Sequence, residues 1–318
     1  MIVRGWQARL YPTPEQARRL NQWAGSLRFL WNRLLAARIW RDGAELLVRT
    51  VSTRIGGSMT QYPMKLGRLA PDMTRLALAP SLQSHRFATM MPPNKLDRSN
   101  VNFSPRLFQN DTLPDCTAAA LANAAMGVAR INGFELAVDD VDVPAFYADC
   151  IGMAGASDAV LAGTAGAEAL DVLSYQSHVG FGVGEQVALS ALWGVVTPIR
   201  PMLAGSMARL GAGYWGVLLT EGDMEAAANG AVWDAPAGAT RGRIVGGHMV
   251  CGWDYDGLGD TSTVRIATWG GFRLATWRWV LSRIEEAYGL IWRQLTATSG
   301  LDIGVDIGQL EAELSNFG

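Results

Sequence analysis

The run from Cys116 to Gly133, CTAAALANAAMGVARING, constrains the fold more than any other stretch. Alanine is the best helix former, and the run is rich in alanine and leucine. It therefore predicts a helix of about 15 residues. Pro114 and Asp115 lead into it, and Asn132-Gly133 is a helix C-terminal signal. Cys116 thus opens the first turn. Unpaired N–H groups and the positive end of the helix dipole favour a thiolate there, the nucleophilic form of cysteine. Such a nucleophile needs a base that is close in space and usually distant in sequence, and the chain holds 3 histidines to choose from.

The stretch RIVGGHMVCGWDYDG predicts a strand in which Met249, Cys251 and Trp253 alternate with His248, Val250 and Gly252. A turn at Asp256 to Asp260 sends the chain back through STVRIATWGG. With that turn centred near residue 258, His248 faces Ala267 and Thr268, which is where an orienting side chain has to stand. His178 ends a helix predicted from Ala167 and reads as a capping residue. The glycines at 180, 182 and 184 form a loop rim and no dinucleotide fingerprint, because a helix precedes them where a strand is required.

Taken together, NVNFSPRLFQNDTLPDC, IVGGHMVCGWDYDG and VRIATWGGF resemble the papain-like cysteine peptidases, particularly the compact bacteriophage forms, over about residues 64–292. The resemblance implies an α+β, papain-like fold with a central helix packed on an antiparallel sheet. It also implies thiol-dependent hydrolysis of a peptide or protein substrate, with Cys116 as nucleophile and His248 as general base and acid. The family's oxyanion-binding amide, six residues ahead of the cysteine, falls on Asn110, with Gln109 as second choice. The family places Asn or Asp just before its Trp-Gly pair, whereas this chain has Thr268. Thr268 is then the orienting residue, with Asp254 or Asp256 of the hairpin as alternatives. This departure keeps a second reading open, a catalytically inactive papain-like binding or virion module.

Charge divides the chain. Residues 1–56 carry ten arginines against Glu15, Asp42 and Glu45, while the whole has a net charge of -2. Thr13 and Gln16 fit a capping box with Pro14 in the first turn, and Gly25-Ser26 separates two apolar-periodic runs, which predicts a helix-turn-helix. LYPTPEQ, Leu20, Gly25, Arg28-Phe29 and Trp31-Asn32 resemble the N-terminal helix-turn-helix of TnpB-type RNA-guided nucleases over about residues 1–40. That family's nuclease triad and zinc ribbon are absent. The resemblance implies weak nucleic-acid binding through Arg18, Arg19, Arg28 and Arg33, or a remnant of gene fusion.

These readings divide the chain into a basic domain at 1–60, a peptidase domain at 61–298 and an acidic tail at 299–318. The proline-rich segment Lys65 to Arg106 predicts chain lying extended across a body. Thr276 is expected to cap a helix running to about Tyr288. Asp139, Asp140 and Asp142 read as a solvated loop, and no metal or cofactor is expected. The 3 cysteines show neither CxxC pairing nor a disulfide framework. No leader and no apolar run long enough for a membrane span is visible, so a cytoplasmic location, with packaging into a virion, is the expectation.

Overall fold

Helix α1, Cys116–Ile131, forms where the alanine run predicts it, with Asp115 at the N-cap position and Asn132 at the C-cap. Gly133 follows with φ 79°, the left-handed conformation that releases the chain from the helix. From Ala118 to Ala125 no residue of α1 is more than 5% exposed. Small side chains make this possible, since strands and helices approach the α1 backbone from several directions at once. The computed structural model describes residues 64–183, 187–236, 238, 242–296 and 302–317. The expected helix-turn-helix, with Arg18, Arg19, Arg28 and Arg33, lies outside the described residues, as does Gly184.

Around α1 the architecture is α+β. A small antiparallel hairpin, β1 (Phe181–Val183) and β2 (Val187–Leu189), precedes the main sheet. That sheet comprises β3 (Ala191–Val195), β4 (Gly213–Thr220), β5 (Ile244–Tyr255), β6 (Thr263–Thr268), β7 (Gly271–Thr276) and β8 (Ile284–Trp292). Its order is β3-β8-β4-β5-β6-β7, with every neighbour antiparallel. Helix α1 packs on β5 and against α2 (Asp142–Cys150) and α3 (Ala169–His178), and α3 also packs on β3. The acidic tail is an amphipathic helix, α4 (Ile307–Phe317), that seats Leu310 and Leu314 in the core and lays Phe317 edge-on against Trp193 of β3.

Two expectations about the second half are corrected. Thr276 does cap a helix, accepting from the N–H of Trp279, but the helix ends at Arg283 and the chain continues as β8. IEEAYGLIW is rich in β-branched and aromatic residues, and its place between β3 and β4 supplies a ladder on both edges, which outweighs local helix propensity. The register of the hairpin is also displaced. Cys251, and not His248, pairs with Ala267, and the strands shift again between Gly252 and Asp254. The cause is an off-centre turn, because Tyr255 pairs with Val264 and the loop between them is centred beyond residue 258.

The pair Trp269-Gly270 closes a second hairpin, β6 to β7, in which Thr268 pairs with Gly271. Both turn residues have positive φ, 46° and 73°. This is the backbone a two-residue hairpin needs to match the twist of its strands, and it holds Trp269 in a conformation uncommon for a bulky residue.

Candidate active site

The N-terminus of α1, the start of β5 and the Trp269 hairpin converge on a narrow crevice. Cys116, Asn110, Met249, Thr268 and Trp269 line it, and its free volume of about 10 Å³ is close to what one water occupies. His248 stands behind this lining. Its Nε2 lies 2.6 Å from Thr268 Oγ1, reaching diagonally across the strands. Its ring stacks on Trp269 with centroids 4.4 Å apart and planes at 24°. Its Nδ1 is buried without a hydrogen-bond partner. Tertiary structure thus gathers Cys116, Asn110 and Thr268 around one crevice and couples His248 to Thr268.

Other expectations are corrected. No hydrogen bond joins the Cys116 sulfur to His248, whose Nδ1 has no partner and whose Nε2 meets Thr268. The thiol is not poised as a thiolate. Burial pushes it up to about 12, with the Asp115 carboxyl adding to the rise, and backbone hydrogen bonding at Met249 and Gly67 only partly offsets this. Burial, with the nearby Arg68 charge, drives His248 down to about 3. Both groups are held neutral. Asp254 and Asp256 do not orient the imidazole: Asp254 pairs with Arg265 and accepts from the N–H of Arg98, while Asp256 accepts from Thr263. The Asn110 amide donates to the carbonyl of Leu113 at 3.1 Å, so it faces inward in this state. Gln109 lies outside the crevice lining, in a positive-φ pair with Phe108 that bends the chain toward the helix start. His178 is exposed and bonds the carbonyl of Ser174 one helical turn back.

Against the turn that leads into α1 lies a strap, residues 65–69, KLGRL. Lys65 donates to the carbonyl of Asn110 at 3.2 Å, and its own carbonyl accepts from Trp269 Nε1 at 3.4 Å. Gly67 accepts from Ala167 at 2.8 Å, Leu69 donates to Ala167 at 3.0 Å, and Arg68 donates to Gly247 at 3.2 Å. The strap is therefore an added strand, parallel to the chain at Ala167 and antiparallel to β5 at Gly247. Gly67 and Gly166 make the approach possible: a Cβ at Gly67 would stand 1.9 Å from the carbonyl oxygen of Pro114, and one at Gly166 1.8 Å from that of Gly67. The Arg68 side chain is fully buried against Glu286 and Glu285. Burial opposes its charge, but the two carboxylates outweigh that cost and raise its pKa. The sequence signal for the strap was the proline-rich segment predicted to lie extended. Neither its seat over Cys116 nor the role of Arg68 was legible there.

Residues 1–42 match a helix-turn-helix domain family. No curated protein matches the chain. Among solved structures, the fold is similar to xylellain, a cysteine protease from Xylella fastidiosa. That match has a TM-score of 0.53 at 15% identity and covers 75% of this chain and 99% of that one. It is also similar to procathepsin B S9 from Trypanosoma congolense, with a TM-score of 0.51 at 10% identity, covering 75% and 91% of the two chains. At these identities the likeness establishes the fold, which is papain-like.

Proposed function

We propose that residues 61–298 are a cysteine peptidase or amidase, phage-associated, that hydrolyses peptide bonds and is held latent by its own strap. The observation that carries this reading is the state of His248: Nε2 is fixed by Thr268 while Nδ1 is left buried and unpartnered. A buried ring nitrogen without a partner is costly, and the use we assign it is to exchange a proton with the Cys116 thiol once the strap leaves. Cys116 then attacks the carbonyl carbon, and His248 takes the thiol proton and later delivers it to the leaving amine. Thr268 holds the ring and stabilises the imidazolium less than an amide would. The N–H of Cys116 and the Asn110 side chain, once turned from Leu113, supply oxyanion donors. Departure of the strap admits water, which removes the desolvation that keeps both groups neutral.

An electrophilic thiol trap near neutral pH should therefore modify Cys116 ahead of Cys150 and Cys251, and His248→Ala should suppress the reaction. Equal modification of all three cysteines counts against the enzyme.

The sealed sulfur and missing Cys–His hydrogen bond favour a second reading, a papain-like module that binds without catalysis. It predicts no trap reaction even after the strap is displaced. In either case the basic N-terminus is read as a nucleic-acid tether. Binding of DNA or RNA by the full chain should weaken steeply as salt rises, and removing residues 1–60 should abolish it. Salt-independent binding would refute the tether.

A further inference from the structure

We propose that Asp115 is a positioning residue of the reaction: protonated, it leaves the Asn110 amide free to turn into the crevice, and ionised, it holds that amide inward and opposes negative charge on the Cys116 sulfur. The inference rests on the peptidase reading and adds a residue that acts through the oxyanion donor.

The placement of Asp115 departs from what its position predicts. An aspartate at a helix N-cap ordinarily accepts from the N–H groups of the first turn. Asp115 stands at the N-cap of α1 without such a bond, and it is 0% exposed. Its carboxyl is therefore satisfied neither by water nor by the helix end. The group beside it is the Asn110 amide. Asn110 also lines the crevice with Cys116, whereas Asp115 does not. Asp115 thus reaches the site through Asn110 and through the field of its own charge.

The two forms of the carboxyl act differently on that amide. A primary amide nitrogen carries two hydrogens, and Asn110 Nδ2 gives one to the Leu113 carbonyl at 3.1 Å. An ionised Asp115 accepts the other in a charge-assisted bond, roughly twice as strong as a neutral one. Turning the amide toward an oxyanion then breaks both bonds. A protonated Asp115 is a weaker acceptor and brings a donor of its own, so the turn breaks little more than the Leu113 bond. The field acts in the same direction. Asp115 directly precedes the nucleophile, and a carboxylate there disfavours a thiolate and an oxyanion alike. The head of α1 tolerates one negative charge, and the reaction needs it on sulfur or on substrate.

The surroundings keep Asp115 protonated near neutrality. Burial pushes its carboxyl up to about 8, the Asn110 amide opposes the rise, and Asp111 of the same loop adds to it. Tyr147 of α2 and Cys116 of α1 also feel its charge, and burial pushes each of them up to about 12. Arg68 of the strap acts on the sulfur as a fixed positive charge. Of Asp115, Tyr147, Cys116 and Arg68, Asp115 is the one that changes charge between pH 6.5 and 9.

The test compares the full-length chain with Asp115→Asn, which is neutral at every pH. In the unsubstituted chain the side-chain amide resonance of Asn110, identified by its loss in Asn110→Ala, should move between pH 6.5 and 9 with a midpoint near 8. In Asp115→Asn it should stay still. A resonance that does not move, or that moves equally in the variant, overturns the proposal whether or not the chain is an enzyme. The second readout is modification of Cys116 by a thiol trap. The rate at pH 9 divided by that at pH 6.5 should be about tenfold larger in Asp115→Asn, because the thiolate forms there without a neighbouring carboxylate. Equal ratios overturn the proposal and leave the peptidase standing. Failure to modify Cys116 in either chain at any pH removes the peptidase reading instead, and the resonance alone then decides whether Asp115 sets the amide. Should Asp115→Asn fail to fold, Asp115→Ser, neutral and a good helix cap, carries the same measurements.

Discussion

Three residues at the head of α1 and on β5, Asp115, Cys116 and His248, are held in their neutral forms by burial. Burial pushes the Asp115 carboxyl from 3.8 to about 8, and the nearby Asn110 amide only partly offsets this. The folded chain therefore keeps a proton that the unfolded chain releases near pH 4, so this residue lowers stability as pH rises from about 4 to 8. His248 acts in the other direction. Its folded value of about 3 lies below the ordinary 6.5, so the stability of the neutral ring is complete above pH 6.5 and is lost as pH falls toward 3. Between pH 6.5 and 8 only Asp115 of this pair is titrating. Stability in that window should fall by at most about 1.4 kcal/mol per pH unit from this source, and Asp115→Asn should flatten the slope. Denaturant midpoints across the window measure it, and an unchanged slope would assign the effect elsewhere. Cys116 was legible as a residue of interest from its place before an alanine run. Its protonation was not, because desolvation depends on what other segments lay over it.

Helix α1 is central because it is thin, and Gly127 shows the limit of that rule. Replacing a mid-helix glycine with alanine ordinarily stabilises by about 1 kcal/mol. Here the new Cβ would stand 2.5 Å from the ring of Trp253, which is itself wedged against Phe103 and Arg98. Overpacking of this kind costs about 1–3 kcal/mol, so Gly127→Ala should be destabilising on balance. Chemical denaturation tests the sign, and a stabilised variant would mean that the Trp253 ring moves freely. The same element scale explains what periodicity could and could not reveal. The helix at Cys116, the strand at His248 and the cap at Thr276 were readable from local pattern. Strand β8 was not, since IEEAYGLIW fits either state until two neighbouring strands claim its edges. Nor was the register at His248, which depends on an off-centre turn and a bulge.

At the scale of the whole molecule, the proposed latency makes the strap the gate of the site. Its hold on the body depends on glycine at position 67, where a side chain would collide with Pro114. Gly67→Ala should therefore dislodge residues 65–69 and expose the sulfur. If the strain shifts the closed state by 1.4 kcal/mol, modification of Cys116 by a thiol trap should accelerate about tenfold. Mass spectrometry of the labelled peptide measures this, and an unchanged rate would show that the strap is not the barrier. The helix at Cys116, the strand at His248 and the Trp-Gly turn were determined by the sequence itself, because each specifies backbone locally, while the papain-like, α+β plan was implied by the resemblance those blocks carry. Only the tertiary structure decided that the Cys116 thiol is buried, that Thr268 reaches the imidazole and that Arg68 meets Glu286. These depend on segments up to 218 residues apart being brought within hydrogen-bond distance, and no local pattern encodes which distant surface a segment will cover.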